Sequence, residues 1–480
     1  MHGRRFILSA IAAGVALTVG NLSRVGAVTP TGTPVGKTGG AADLRTAAES
    51  AVSEDLLTAQ AAISTLRRQG PAGLQALCEA HQRMLASHLV PLSAKRAPVA
   101  ESASAEADES RWRRLKQAID AVGGQYDCYA SRLYWYTDLE DAKAAARRAG
   151  KPILSLRLLG NLTDQYSCAN SRFFRSTLYA NAEVAAALRE RFVLHWKSVR
   201  PVPVVTIDFG DGRSMKRTVT GNSIHYVLDS AGRPVDALPG LYGAKAFIEG
   251  LDRAAPLAIR CASLDAAARA NELRSYHARR SNEVRARWQD DLRQLGLLSS
   301  TPAVQSVSRF KAAPPNAAQA NQLALPKAQA EAPILASVLP DAQILTSATD
   351  DDAWKRIAQL HAADAKLDDA SLRFVRTQNP LAGRAGALAI TKRVVEDPLL
   401  RVIGNLQETI AIDTVRNEYT FHRQIHEWFA AEQIPSNNLE KFNERVYAEL
   451  FLTPAHDRWY GLLPAAAYTG LEDNGVCANE

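Results

Sequence analysis

The sequence carries no CxxCH, no paired CxxC and no HExxH, so c-type haem attachment, a thiolate zinc module and a zincin helix are excluded. It also lacks a Gly-x-Ser-x-Gly elbow, a phosphate loop and a dinucleotide fingerprint, and no cofactor is expected. Basic runs are missing too. The 57 Lys and Arg are dispersed among 50 Asp and Glu, and a net charge of +7 is modest for 480 residues. No nucleic-acid footprint follows from that pattern. Cysteine is scarce: Cys78, Cys128, Cys168, Cys261 and Cys477 are too few for a disulfide-rich scaffold. Their odd number leaves at least one outside any intramolecular disulfide. Beyond the N-terminus no apolar run has membrane-spanning length.

What is present begins with an export signal. Arg4 and Arg5 precede an uncharged apolar run, Phe6 to Gly20, and Val25-Gly26-Ala27 supplies small residues for cleavage. This predicts a signal peptide over 1–27 and export to the periplasm, cell surface or exterior, by Sec or by a twin-arginine route. No transmembrane span is expected after cleavage. A composition of 46% hydrophobic and 22% charged residues suits a globular protein.

Residues 28–43 read as a flexible Thr/Gly/Pro leader and 44–132 as a helical region. There Leu56, Ala59, Ile63 and Leu66 recur at helical spacing, Gly70-Pro71 interrupts, and Leu74, Leu77, Cys78 and His81 resume. An Ala/Ser/Glu linker is expected over 97–109. Strand patterns follow at 151–159, 192–196, 224–228 and 234–237, with a helix over 181–191. Gly210-Asp211-Gly212-Arg213 turns a hairpin between 204–209 and 215–219. Strands alternating with helices predict a mixed α/β sheet. Residues 255–296 read as one long helix with Leu273, Tyr276, Val284, Leu292 and Leu295 as its apolar stripe, and 297–349 as an Ala/Pro-rich linker. Over 350–480 the periodicity predicts a separate α-helical domain, with segments near 352–364, 382–395, 397–431 and 437–451.

The middle of the chain carries a family pattern. Trp135-Tyr136-Thr137-Asp138-Leu139-Glu140-Asp141-Ala142 runs through an alanine-rich helix to Gly150-Lys151-Pro152-Ile153-Leu154. Ser167-Cys168-Ala169-Asn170-Ser171 then opens a helix at Arg172-Phe173-Phe174. Asn181-Ala182-Glu183-Val184, Phe192-Val193, Gly221-Asn222-Ser223-Ile224, Asp229-Ser230-Ala231-Gly232 and Gly240 follow. Together these resemble the thioredoxin-like superfamily over residues 133–254. The resemblance implies a thioredoxin-like sheet flanked by helices, with Cys168 and Ser171 as the catalytic positions and Ser167, Asn170 and Ser223 at the substrate-binding ones. A Cys at a helix start is stabilised as thiolate by free N–H groups and the helix dipole.

The pattern departs from the family at three places. Ser171 replaces the resolving Cys, Ser167 the preceding Trp, and Ser223 the cis-proline that faces the Cys. A non-proline cis bond costs ~2.5–4 kcal/mol, so a trans bond is expected there. Cys168 is thus open to three readings: a reactive thiol, working alone through a mixed disulfide or resolved by another cysteine with Cys128 the nearest candidate; a disulfide with Cys128; or a buried thiol with Asn170 and Ser171 capping the helix.

Glu418, His422 and His426 fall at i, i+4 and i+8 on one helix face, a spacing that can offer a carboxylate and two imidazoles to a metal, with Asp413 or His456 to complete it. Asp208-Phe209-Gly210 is accounted for by the hairpin turn. Three functions are therefore carried forward: single-cysteine thiol-disulfide exchange or thiol sensing on protein thiols; a non-enzymatic module binding an exported protein partner; and a metal-dependent site in the helical region.

Overall fold

The structure, a computed structural model, describes residues 41–89, 103–218, 221–298, 345–346, 348–378, 398–434 and 438–460. The signal peptide, nearly all of the leader, most of the 297–349 linker, the 382–395 segment and Cys477 lie outside the described residues.

A five-stranded mixed sheet organises the chain. Its strands are β1 (Trp135–Tyr136), β2 (Ile153–Leu159), β3 (Val193–Arg200), β6 (Ser223–Leu228) and β7 (Pro234–Pro239). The order is β1-β3-β2-β6-β7, with β1, β3 and β2 mutually parallel and β6 and β7 added antiparallel. β2 is apolar nearly throughout because helices bury both of its faces, as parallel strands require. Among the described residues β4 (Val204–Asp208) and β5 (Ser214–Thr218) pair only with each other. The hairpin read from Asp211-Gly212 is therefore a separate two-stranded ribbon.

Local chemistry sets the helix ends. In α7 (Leu139–Ala149) the Asp138 carboxylate accepts from Asp141 N–H, and Gly150 closes the helix in the left-handed region at φ 63°. In α9 (Ala182–Arg191) the Asn181 side chain accepts from Val184 N–H. The expected single helix over 255–296 is two: α10 (Ala244–Ser263) and α11 (Ala266–Gln294). Asp265 caps α11 by accepting from Ala268 N–H, and that cap marks the break. The expected linker over 97–109 is helical from Ala103, the first residue of a helix that ends at Gly123.

The expectation of a separate C-terminal helical domain is corrected. Helices Pro398–Arg416, Arg423–Ala430 and Leu439–Arg445, with π turns at Asn417–His422 and Val446–Leu450, share one apolar core with the sheet. That core runs from Trp135, Leu154 and Tyr226 to Ile425, Phe442 and Val446. Tyr226 meets Phe442 edge-on, its hydroxyl donates to Asn443 Oδ1 (3.2 Å), and Asn417 Nδ2 donates to Leu241 O (2.8 Å). A second core belongs to the N-terminal helices; it contains Leu66, Leu77, Cys78, Leu115, Ile119 and Cys128, with Phe374 from a later helix added. No helix among the described residues is long and apolar enough to cross a membrane.

Candidate functional site

Two groups of chemistry-bearing residues emerge. The first surrounds Cys168. This residue is the N-cap of a five-residue helix, Ala169–Phe173, that continues as a π turn, and its side chain is fully buried. Its N–H is taken by Leu159 O (3.1 Å), and its carbonyl accepts from Arg172 N–H (3.2 Å) and from the Ser171 hydroxyl (2.8 Å). With that hydrogen committed, Ser171 Oγ accepts from the Ser167 hydroxyl at 2.6 Å. Capping by Asn170 and Ser171 is corrected: neither side chain caps a free helix N–H, and the buried Asn170 Nδ2 has no hydrogen-bond partner among the described residues. Ser223 is buried at the start of β6, and no cis peptide bond occurs among the described residues.

Cys128 does not join this corner. It lies in the N-terminal core, its thiol against Leu133 O at 3.3 Å, and both cysteines are free. Of the readings open to Cys168, the disulfide with Cys128 is therefore not formed. Burial pushes the Cys128 thiol well above its ordinary range, which also disfavours it as a resolving thiolate.

The second group lies between the sheet and the C-terminal helices. Glu418 and His422 come from the π turn, His426 from the following helix, His277 and Tyr276 from α11, and Asp236 from β7. Asp236, His277, His422 and His426 are almost completely buried. His422 bridges two carboxylates, with Nδ1 2.7 Å from Glu418 Oε2 and Nε2 3.1 Å from Asp236 Oδ1. His426 Nδ1 is 3.8 Å from Asp236 Oδ1 and 2.8 Å from His277 Nδ1. His277 Nε2 donates to Val235 O at 2.9 Å.

Burial opposes charge on every member. For His422 the carboxylates of Glu418 and Asp236 outweigh it and raise the imidazole to about 9. Burial likewise disfavours charged Asp236 and Glu418, but the His422 ring between them holds both well below the usual carboxylate range. Burial, with the charge of His422, keeps His426 far below its ordinary value; burial lowers His277 to about 4. Glu418 also lines a shallow open cleft, together with Tyr242, Arg253, His361, Thr414 and Tyr419.

The spacing of Glu418, His422 and His426 was legible in the sequence; their partner Asp236 was not. Among the described residues the three groups whose ligand atoms all lie within 4.8 Å of one another are Asp236, His422 and His426. Asp413 and His456 are not in that group, and Glu418 stands behind His422. Asp236 lies on β7, the hairpin partner of β6, and meets these histidines only because the C-terminal helices pack on that hairpin, which no local signal marks. No protein-family model, curated protein or solved structure matches this chain.

Proposed function

We propose that the chain is an exported protein with a thioredoxin-like central sheet whose thiol corner is closed, and that it works by binding a protein partner rather than by thiol-disulfide exchange. One observation carries this reading: Cys168 has no exposed surface. Exchange proceeds by in-line attack of a thiolate on a substrate sulfur, which a sealed thiol does not reach. The parallel β1-β3-β2 core, the antiparallel β6–β7 end and the helix starting at Cys168 support the family reading.

The binding surface is the β4–β5 ribbon. Its base is tied to the thiol corner by Arg172, which donates to Thr218 Oγ1 at 2.9 Å. Val204, Val205 and Phe209 are exposed, beside Arg213, Lys216 and Arg217. Exposed apolar side chains with basic neighbours on a two-stranded ribbon suit an extended, acidic and apolar segment added to a free strand edge.

The test combines native-state alkylation with photo-crosslinking from position 209 in the exported fraction. Cys168 is expected to stay unmodified until the protein unfolds, and the crosslinked partner to be kept in Cys168→Ser and lost in Val205→Asp. Rapid native alkylation of Cys168, or a mixed disulfide trapped through it, would sink the reading.

A further inference from the structure

The contact between His277 and His426 poses a question of proton placement. Val235 O only accepts, so His277 Nε2 carries the hydrogen and its Nδ1 presents a bare lone pair. That lone pair faces His426 Nδ1 at 2.8 Å. If His426 is protonated on Nδ1, its Nε2 becomes a buried acceptor, and this atom has no partner. If it is protonated on Nε2, two lone pairs confront each other. Each tautomer leaves a buried group unsatisfied, at ~1–3 kcal/mol. A cation at the junction removes the conflict between the two Nδ1 lone pairs, and leaves the His426 Nε2 hydrogen without a partner among the described residues.

The surroundings fit that solution. Zinc ligands at about 2.0–2.1 Å in a tetrahedron stand roughly 3.3–3.4 Å apart. The pairs His277–His426, His422–Asp236 and His426–Asp236, at 2.8, 3.1 and 3.8 Å, bracket this spacing. The groups behind the ligands are also in place. His277 is oriented by Val235 O, His422 by Glu418, and Asp236 Oδ2 accepts from the Tyr276 hydroxyl at 3.2 Å. Metal-binding imidazoles are oriented by such carboxylates and carbonyls.

We propose that Asp236, His422 and His426, whose ligand atoms lie within 4.8 Å of one another, form a buried site for a divalent ion of the zinc class, with His277 Nδ1, 2.8 Å from His426 Nδ1 but outside that group, drawn in as the fourth ligand; the ion ties β7 to α11 and the C-terminal helices. Three nitrogens and one carboxylate oxygen match a borderline-soft ion in tetrahedral geometry. With all four ligands buried, no position is left open for substrate, so the ion is structural.

The test uses the full chain without an affinity tag, stripped with chelator and reloaded with Zn2+ or Co2+ alone. One equivalent per chain, a raised thermal midpoint and the visible bands of tetrahedral Co2+ are expected. Glu418→Gln should weaken Zn2+ affinity about 10–100-fold without abolishing it, as expected of a supporting group. His426→Gln should abolish the Co2+ bands, and His277→Gln serves the same purpose if that variant does not fold. No stoichiometric Zn2+ in the folded wild type, or unchanged Co2+ bands in a folded His426→Gln or His277→Gln variant, overturns the proposal.

Discussion

Arg157 of β2 donates to Glu440 of the helix Leu439–Arg445 at 3.0 Å, joining residues 283 positions apart. The guanidinium is buried, whereas Glu440 is half exposed and also accepts from Lys197 at 3.1 Å. The pair is thus unequal. Glu440→Gln leaves a buried charge short of its counter-ion and should cost about 1–2 kcal/mol, whereas Arg157→Met removes that charge and should stay within about 1 kcal/mol of wild type. Urea midpoints of the two variants check this; a larger loss for Arg157→Met contradicts it.

Acid stability should report on His225. Burial lowers this ring to about 3, and its Nε2 meets the Tyr179 hydroxyl at 2.6 Å. A folded value below the unfolded one means that its contribution is complete above about pH 6.5 and is lost as pH falls toward 3. Between pH 6 and 4, His225→Gln should reduce the slope of stability against pH by about 1.4 kcal/mol per unit, the effect of one proton. Unfolding free energies at several pH values measure it, and an unchanged slope would show that His225 does not titrate on unfolding.

Gly243 should be intolerant of any side chain. A Cβ there would collide with the Asp364 carbonyl, and the Gly243 N–H donates to Thr414 Oγ1 at 2.8 Å. Gly243→Ala is expected to cost about 1–3 kcal/mol by overpacking. Gly150→Ala is the control for glycine loss without collision, since its surroundings are open although its φ is positive. Thermal melts compare them; the two changes should differ in that only Gly243→Ala loosens the C-terminal helices in hydrogen exchange.

Cys78, Cys128, Cys168 and Cys261 should all be recovered as free thiols when the protein is denatured in alkylating agent without reductant. Burial pushes Cys78 up to about 11 and Cys128 further, so neither reacts at neutral pH before unfolding. A linked Cys128–Cys168 peptide in the digest refutes the assignment of these two residues to different cores.

Periodicity made the sheet strands readable, and the Asp211-Gly212 turn made the ribbon readable, because both signals are local. The helix break at Asp265 was written in a cap but hidden by an almost continuous polar pattern. The union of the C-terminal helices with the sheet left no such trace: an amphipathic helix has an apolar face whatever covers it, and the Ala/Pro-rich 297–349 segment suggested a boundary. The candidate site was half legible for the same reason. Glu418, His422 and His426 share one helical run, with a π turn over 417–422 that periodicity does not announce. Asp236 and His277 arrive from elements that only tertiary packing aligns.

The shared core also has a consequence in time. The side of the sheet carrying Arg157 and Tyr226 waits for Glu440, Phe442 and Asn443 to be made. From the end of β7 at Pro239 this is about 200 residues, roughly 10–40 s of synthesis at ~5–20 residues per second. Through it the growing chain carries a half-covered apolar sheet, and its hazard is aggregation before completion. Its demand on holding chaperones is set by where in the chain the cover lies.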